Sequence, residues 1–417
     1  MATWFESARF GLFVHWSHSS QRGIEVSWPL VGGDFGPPYT TEISVDNYHA
    51  TAATFDPQAW DAPALARLAK SLQMQYAVIT TKHHDGFAMF HTKHSDYSIE
   101  RSPYGRDIVR EFLDAMRGEG LRVGVYYSLI DWHHPDYPAY TEQDKPYGPR
   151  TWPKAQPGAW ERFSDFMFAQ IRELLTDYGP IDVIWFDGFW ERTPEQWMAR
   201  ELAEMIRGLQ PGILINDRLP GQGDFQTPEQ FVPPRPPEGR WETCMTLNES
   251  WGYNIVDDHW KSARQLIHTL CEVAGRGGNL LLNVGPMGDG RLQPEALERL
   301  AVVGEWMSRK AESIVGTTPG LEPWQCYAPS TRAGDRVYVH LLLRPYDAFT
   351  VRGVRTKRLR SATALATGEV LAFETRCSVV DTKFNPDPLG EITVRVPESA
   401  IDAHATVIAL DFEGSPV

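Results

Sequence analysis

The run Ile181-Asp182-Val183-Ile184-Trp185-Phe186-Asp187-Gly188 decides the fold. It is apolar but for Asp182, too short for a helix and too unbroken for a half-exposed strand. It therefore reads as a strand buried on both faces that ends in a carboxylate followed by glycine. Runs of the same kind occur at Phe10–Val14, Tyr76–Thr80, Leu121–Tyr127, Gly212–Ile215 and Asn279–Asn283. Between them lie stretches with one apolar stripe at helical spacing: 61–72, 107–116, 160–175, 194–209, 259–273 and 294–307. Gly118-Glu119-Gly120, Asp177-Tyr178-Gly179-Pro180 and Gln210-Pro211-Gly212 supply helix stops. Strand–helix units repeated in this way predict an α/β fold, an irregular (β/α) TIM-like barrel, with a doubly wound sheet as the alternative. No G-x-G-x-x-G follows the first strand, which weakens the dinucleotide-binding form of that alternative.

Past Gly320 the period changes. Arg336–Leu343, Phe349–Val354, Ser361–Thr367, Glu369–Thr375, Glu391–Val396 and Ala405–Phe412 read as strands with turns between them, predicting a C-terminal antiparallel β-sandwich. The chain has 417 residues, more than one core usually serves, so two domains are expected. We place a catalytic barrel at 1–320 and a sandwich at 321–417, with the boundary near Thr317-Thr318-Pro319-Gly320.

The net charge is −14, which repels phosphate backbones and anionic lipid, so nucleic acid and membrane are poor partners. Fifteen tryptophans exceed what a core needs and suit stacking on sugar faces. Cys244, Cys271, Cys326 and Cys377 form no C-x-x-C pair, which leaves zinc-ribbon and thioredoxin readings without support. The opening Met1-Ala2-Thr3-Trp4-Phe5-Glu6 shows no basic segment followed by an apolar one. A cytoplasmic location is expected, or secretion if a leader has been removed.

Candidate chemistry gathers where strands end. Asp187 closes its strand among Trp185 and Phe186, with Gly188 letting the chain turn away; a helix-capping Asp is the plain alternative. Thr81-Lys82-His83-His84-Asp85-Gly86-Phe87 closes another, and His15 a third. Neutral imidazoles can donate to or accept from sugar hydroxyls. The three imidazoles, or His15 and His83 with a carboxylate, could instead hold zinc, although adjacent strand residues point to opposite faces, so His83 and His84 share an ion only after a bend. Arg218, in Asn216-Asp217-Arg218, could hold a carboxylate and lower its pKa, or form a surface ion pair. Glu229 and Glu242 lie on later segments; each alone reads as a solvated loop residue. Together with Asp187 they suit sugar chemistry, in which one carboxylate attacks and another protonates the leaving oxygen.

Six segments in order, Phe10–Trp16, His83–Phe87, Trp185–Gly188, Asn216–Arg218, Trp241–Thr243 with Ser250–Tyr253, and Asn279–Pro286, resemble the α-L-fucosidases of glycoside hydrolase family 29 from about residue 4 to 310. The resemblance implies a barrel followed by a β-sandwich, a retaining exo-glycosidase acting on terminal fucose of oligosaccharides or glycoconjugates, and no metal or organic cofactor. It makes Asp187 the nucleophile and His15, His83, His84, Trp185 and Arg218 fucose-binding residues. Family members carry Glu, Trp and Tyr in a row after the first strand; this chain has Gly23-Ile24-Glu25-Val26-Ser27-Trp28-Pro29, where Glu25 and Trp28 take the sugar-contacting role. Fucose has a methyl group in place of the 6-hydroxyl, and Phe87, Trp251 and the surroundings of Trp16 are candidates for contact with it. The family's acid/base lies on a variable loop after the nucleophile. Glu229 is favoured because a flexible loop can swing to the leaving group; Glu242, at a strand start, is the rival. A metal-dependent hydrolase using the histidine cluster and a non-catalytic fucose-binding protein are the alternatives.

Overall fold

Parallel strands form where the apolar runs lie. In the computed structural model, which describes residues 4–32, 41–137, 141–146 and 156–417, one sheet holds β1 (Phe10–Val14), β2 (Tyr76–Lys82), β3 (Arg122–Ser128), β4 (Val183–Asp187), β5 (Leu214–Ile215), β6 (Glu242–Thr246) and β7 (Asn279–Val284). Met1–Thr3, part of the N-terminal reading above, lie outside the described residues. The order across the sheet is β5-β4-β3-β2-β1-β7-β6. That is chain order read around a circle with one gap, without the reversal a doubly wound sheet requires.

Residues 225–230 fill the gap. Asn216 bridges to Phe225, Gln226 to Trp241 and Glu229 to Cys244, all in the parallel sense. Backbone hydrogen bonds run from Asp217 N to Phe225 O (2.9 Å), from Cys244 N to Pro228 O (3.1 Å) and from Gln230 N to Cys244 O (2.9 Å). This irregular stave joins both edges of the sheet into the predicted barrel. The expected flexible loop around Glu229 is therefore corrected: Phe225, Gln226, Pro228 and Gln230 on either side of it are hydrogen-bonded to the two barrel edges.

The helices are α1 (Phe5–Ala8), α2 (Val45–Ala50), α3 (Ala62–Ser71), α4 (Ile108–Gly118), α5 (Ala159–Asp177), α6 (Ala199–Leu209), α7 (Ala263–Gly275) and α8 (Pro294–Lys310). Asp61 and Asp107 cap α3 and α4 through the amides of Ala64 and Arg110, and Ser262 with Gln265 forms a capping box on α7. Side chains alternate along each strand, so every strand feeds two cores. Leu12, Val14, Ile184, Phe186, Leu280 and Leu282 pack outward with the helices. Phe13, Tyr76, Val78, Tyr126, Val183, Trp185, Phe225 and Leu281 fill the barrel interior. Two residues up the inner stripes stand His15, Asp187 and Asn283.

Nine antiparallel strands follow: β8 (Thr318–Pro319), β9 (Ser330–Ala333), β10 (Arg336–Leu341), β11 (Ala348–Arg355), β12 (Leu359–Ala364), β13 (Glu369–Val370), β14 (Phe373–Cys377), β15 (Leu389–Arg395) and β16 (Thr406–Phe412), with a short helix α9 (Val379–Phe384). They form sheets ordered β13-β12-β16-β10-β9-β8 and β11-β15-β14. Val337, Val339, Ile408 and Leu410 of one sheet and Val351, Ile392 and Val394 of the other share a core, which makes the pair a sandwich. The opposite face of the larger sheet sends Tyr338, Val407 and Ala409 into the core around the barrel helices. All four cysteines are unpaired, and no helix among the described residues is long and apolar enough to cross a membrane.

Arg9 fastens the chain ahead of β1 to the segment that leads into the sandwich. Its buried guanidinium donates to Thr317 O from Nε (3.1 Å) and Nη2 (2.7 Å), and to Gly278 O from Nη1 (3.2 Å). Replacing it strands two buried carbonyls. Arg9→Met is expected to lower the unfolding free energy by about 3 kcal/mol in urea titration; an unchanged midpoint would show that these bonds contribute nothing net.

Candidate active site

The inner stripes and their connecting loops meet in a cavity of about 230 Å³. That is smaller than the roughly 300–1,000 Å³ of drug-sized sites and suits a single small sugar. A larger cavity, about 820 Å³, lies elsewhere, lined by the chain around the starts of β3 and β5, but its Arg122, Arg207 and Arg240 are already paired with Asp182, Asp224 and Glu6.

Asp187 ends β4 inside this cavity. Its Oδ1 accepts from Arg218 Nη1 (2.8 Å) and its Oδ2 from the Tyr126 hydroxyl (2.9 Å). Burial pushes the Asp187 carboxyl up, but the charge of Arg218, then His84 and the hydrogen bonds outweigh it, and its pKa falls below the ordinary aspartate value. Of the two aromatic neighbours expected around it, only Trp185 shares the interior; Phe186, one residue out of phase, packs against the helices.

Arg218 joins the two proposed carboxylates. Its Nη2 donates to Glu229 Oε2 (2.6 Å) while Nη1 holds Asp187, and Nε donates to Thr227 Oγ1 (3.2 Å). Its guanidinium carbon sits 4.5 Å from the Trp185 ring centroid, and Trp185 Nε1 in turn donates to Glu242 Oε1 (3.0 Å). Glu229 lines the cavity with its side chain 38% exposed. The next residue, Gln230, has φ +61°, a left-handed conformation that glutamine rarely adopts. Its side-chain amide is clamped by Thr246, donating to the hydroxyl (3.0 Å) and accepting from the backbone N–H (3.3 Å).

Glu242 stands elsewhere. It opens β6, is 1% exposed, does not line the cavity and has both oxygens engaged, by the Tyr76 hydroxyl and Trp185 Nε1. Burial pushes its carboxyl up to about 7, against those donors. Glu25 is also outside the lining: it accepts from the amides of Val26 (2.7 Å), Trp251 (2.7 Å) and Gly252 (2.6 Å) and so fixes the loop that presents Trp251 to the cavity. Trp28 and Trp251 line the cavity as expected, but Phe87 and Trp16 do not. Phe87 packs on His18 and Tyr97, and Trp16 on Phe55 and Trp60, both beyond the ends of the strands that precede them.

Hydrogen-bond networks assign proton positions to two of the three histidines. Asn283 donates from Nδ2 to Trp251 O (2.7 Å), so its Oδ1 accepts from His15 Nδ1 (2.7 Å) and His15 Nε2 is left as an acceptor. Ser27 Oγ accepts from Asp85 N (2.9 Å) and shares a hydrogen bond with His83 Nδ1 (2.6 Å), which orients the ring of His83. Ser128 gives its proton to Ile130 O (2.8 Å) and accepts from His84 Nδ1 (2.7 Å). His84 Nε2 is then a buried acceptor with no hydrogen-bond partner, 3.7 Å from Asp187 Oδ2. Burial keeps all three rings neutral, His15 at about 3 and His84 at about 4. At the cavity wall His15 thus offers an acceptor, with His83 beside it, whereas His84, expected to bind sugar, is fully buried behind Asp187 and does not line the cavity.

Beyond the end of β2 the chain bends, bringing the rings of His83 and His84 to 4.2 Å between centroids. Among the described residues, His83, His84 and Asp187, rather than a set containing His15, are the group whose ligand atoms approach closely enough for a metal ion. Sequence reasoning missed Phe13, Trp190 and Tyr126. Period-two counting would have found two of them: Phe13 is two before His15, and Tyr126 pairs in register with Trp185. Trp190, on a turn after β4, gave no periodic signal.

Two acidic side chains at the mouth of a parallel barrel, joined by one cation above a sugar-sized aromatic cavity, define a glycoside hydrolase. The profile of the alpha-L-fucosidase family matches residues 1–312, and the chain belongs to that family, glycoside hydrolase family 29. It is 31% identical to human tissue alpha-L-fucosidase over 376 residues, 83% of this chain and 76% of that protein. It superposes on alpha-L-fucosidase isoenzyme 1 of Paenibacillus thiaminolyticus with a TM-score of 0.85 and 38% identity over 98% of both chains. A Bacteroides thetaiotaomicron family 29 enzyme, trapped as a covalent intermediate with 2-fluoro-fucosyl fluoride, is similar at TM-score 0.82 and 26% identity, over 98% of this chain and 95% of that one. Family membership does not favour the metal-dependent hydrolase or the non-catalytic sugar-binding protein.

Removing Arg218 leaves burial as the main influence on Asp187, so its carboxyl must rise. In Arg218→Met the acid limb of the kcat/KM profile should move up by at least about one pH unit. An acid limb that stays in place would show that Arg218 does not set the ionisation of Asp187.

Proposed function

We propose that this chain hydrolyses terminal α-L-fucosyl linkages of oligosaccharides or glycoconjugates by double displacement, with Asp187 as nucleophile and Glu229 as acid/base. The observation that carries this reading is the single guanidinium of Arg218 bonded to both carboxylates within a cavity sized for one sugar. One planar fork spanning both groups argues for the narrow separation of retaining enzymes, about 5–5.5 Å, over the wider gap that admits a water.

The hydroxyls of fucose bind His15 and His83, and its methyl group faces Phe13 or Trp251. Asp187, held ionised by Arg218 and Tyr126, attacks the anomeric carbon as the glycosidic bond breaks. Glu229 gives its proton to the departing oxygen, leaving a fucosyl ester on Asp187. Water then loses a proton to Glu229 and attacks the same carbon, freeing Asp187 and releasing α-fucose. None of these steps calls for a metal or organic cofactor. Glu25 and Glu242 act indirectly, one on the Trp251 loop and the other on Trp185. Four unpaired thiols suit a reducing, cytoplasmic setting.

Proton NMR of p-nitrophenyl α-L-fucoside hydrolysis should show α-fucose before any β anomer; β-fucose first would replace double displacement with single displacement. In Glu229→Gln, fucosides with poor leaving groups should lose about 10²–10⁴-fold in kcat/KM and activated aryl fucosides far less. Equal losses on both would remove Glu229 from the acid/base role.

A further inference from the structure

The cavity has room for one sugar, so whatever that sugar is attached to must project through the mouth. Of the seven large apolar side chains that are exposed among the described residues before Thr317, five lie on segments that also supply the cavity wall. They are Phe189 and Trp190 after β4, Phe231 two residues past Glu229, and Ile255 and Val256 just past Trp251. Exposed apolar groups gathered beside a cavity mark a surface that binds something.

Of this collar of five, Trp190 alone reaches the cavity wall. It lines the cavity yet is 44% exposed. Its ring stands nearly perpendicular to its neighbours: His84 at 5.5 Å and 83°, and Phe189 at 5.9 Å and 75°. These contacts hold the indole in place, and its exposed part is area on which a flat group can stack. The turn beneath is fixed, with Gly188 at φ +77° and Trp197 Nε1 donating to Phe189 O (2.8 Å).

We propose that Trp190 is the platform of a leaving-group subsite, which selects leaving groups that present a flat apolar face, such as an aryl ring or the less hydroxylated face of a pyranose. The proposal rests on the reading of the cavity as the fucose site. The occupant is part of the substrate because the platform is continuous with that cavity and the bond to be broken lies between them.

The test compares wild type, Trp190→Ala and Trp190→Phe on α-L-fucosyl fluoride, whose leaving group is too small to reach the platform, and on p-nitrophenyl α-L-fucoside. In Trp190→Ala the ratio of kcat/KM for the aryl fucoside to that for the fluoride should fall about tenfold, chiefly through KM, while Trp190→Phe keeps it within about threefold. Thermal melts confirm that both variants fold, and Trp190→Leu, expected to show the same fall in the ratio, carries the test if the alanine variant does not fold. A ratio unchanged in Trp190→Ala would overturn the proposal and place Trp190 in the fucose subsite. Light scattering that shows a wild-type dimer dissociating in Trp190→Ala would also overturn it, assigning the collar to a second copy of the chain. A wild type inactive on the fluoride would instead defeat the fucosidase reading itself.

Discussion

Asp187, buried in its cavity, would ordinarily be pushed towards its protonated form, and Glu229 stands nearby. Here the Arg218 fork lies across both, and the rest of the site is arranged to hold that fork still. Trp185 lies against the guanidinium, Glu242 anchors the indole nitrogen of Trp185, and Tyr76 anchors Glu242. A chain of contacts thus runs from the start of β2 up through the barrel to the reacting groups. Glu242, which looked like a rival acid, is the foot of that support, and its raised pKa reflects burial away from the cavity.

Much of the fold was legible because strands buried on both faces read as unbroken apolar runs, and barrel helices read as amphipathic stripes. Where the barrel departs from that rule, the reading thinned. Strand β6 is Glu-Thr-Cys-Met-Thr, with little apolar signal, and was visible only as a strand start at Glu242. The stave at 225–230 contains Thr227-Pro228-Glu229 and looks like a loop, because its polar side chains serve the site while its backbone serves the barrel.

The site was legible where a motif marked it and less so where geometry alone decides. Asp187, His15, His83, Arg218, Trp185, Trp28, Trp251 and Glu229 all reach the cavity wall. Glu25 lies one contact behind, because a carboxylate bonded to three amides has little left to offer a sugar. Phe186 faces the helices because it is one residue out of phase with Trp185, and Phe87 lies past the bend after β2, where strand alternation no longer applies. Trp190 lay beyond reach because no period governs a turn.

Consider finally the stave that bears Glu229. Its bridges to Asn216 and Cys244 fix where it lies in space, but the chain between those anchors and the neighbouring strands is free to vary in length. Residues 217–224 lead into it, and 231–240, with the proline-rich Pro233-Pro234-Arg235-Pro236-Pro237, lead out. Insertions or deletions in either connector would move Glu229 along the sequence while the barrel seam kept it in register with Asp187. An enzyme built in this way can lose every trace of alignment around its second carboxylate and still keep that carboxylate at the same station of the barrel.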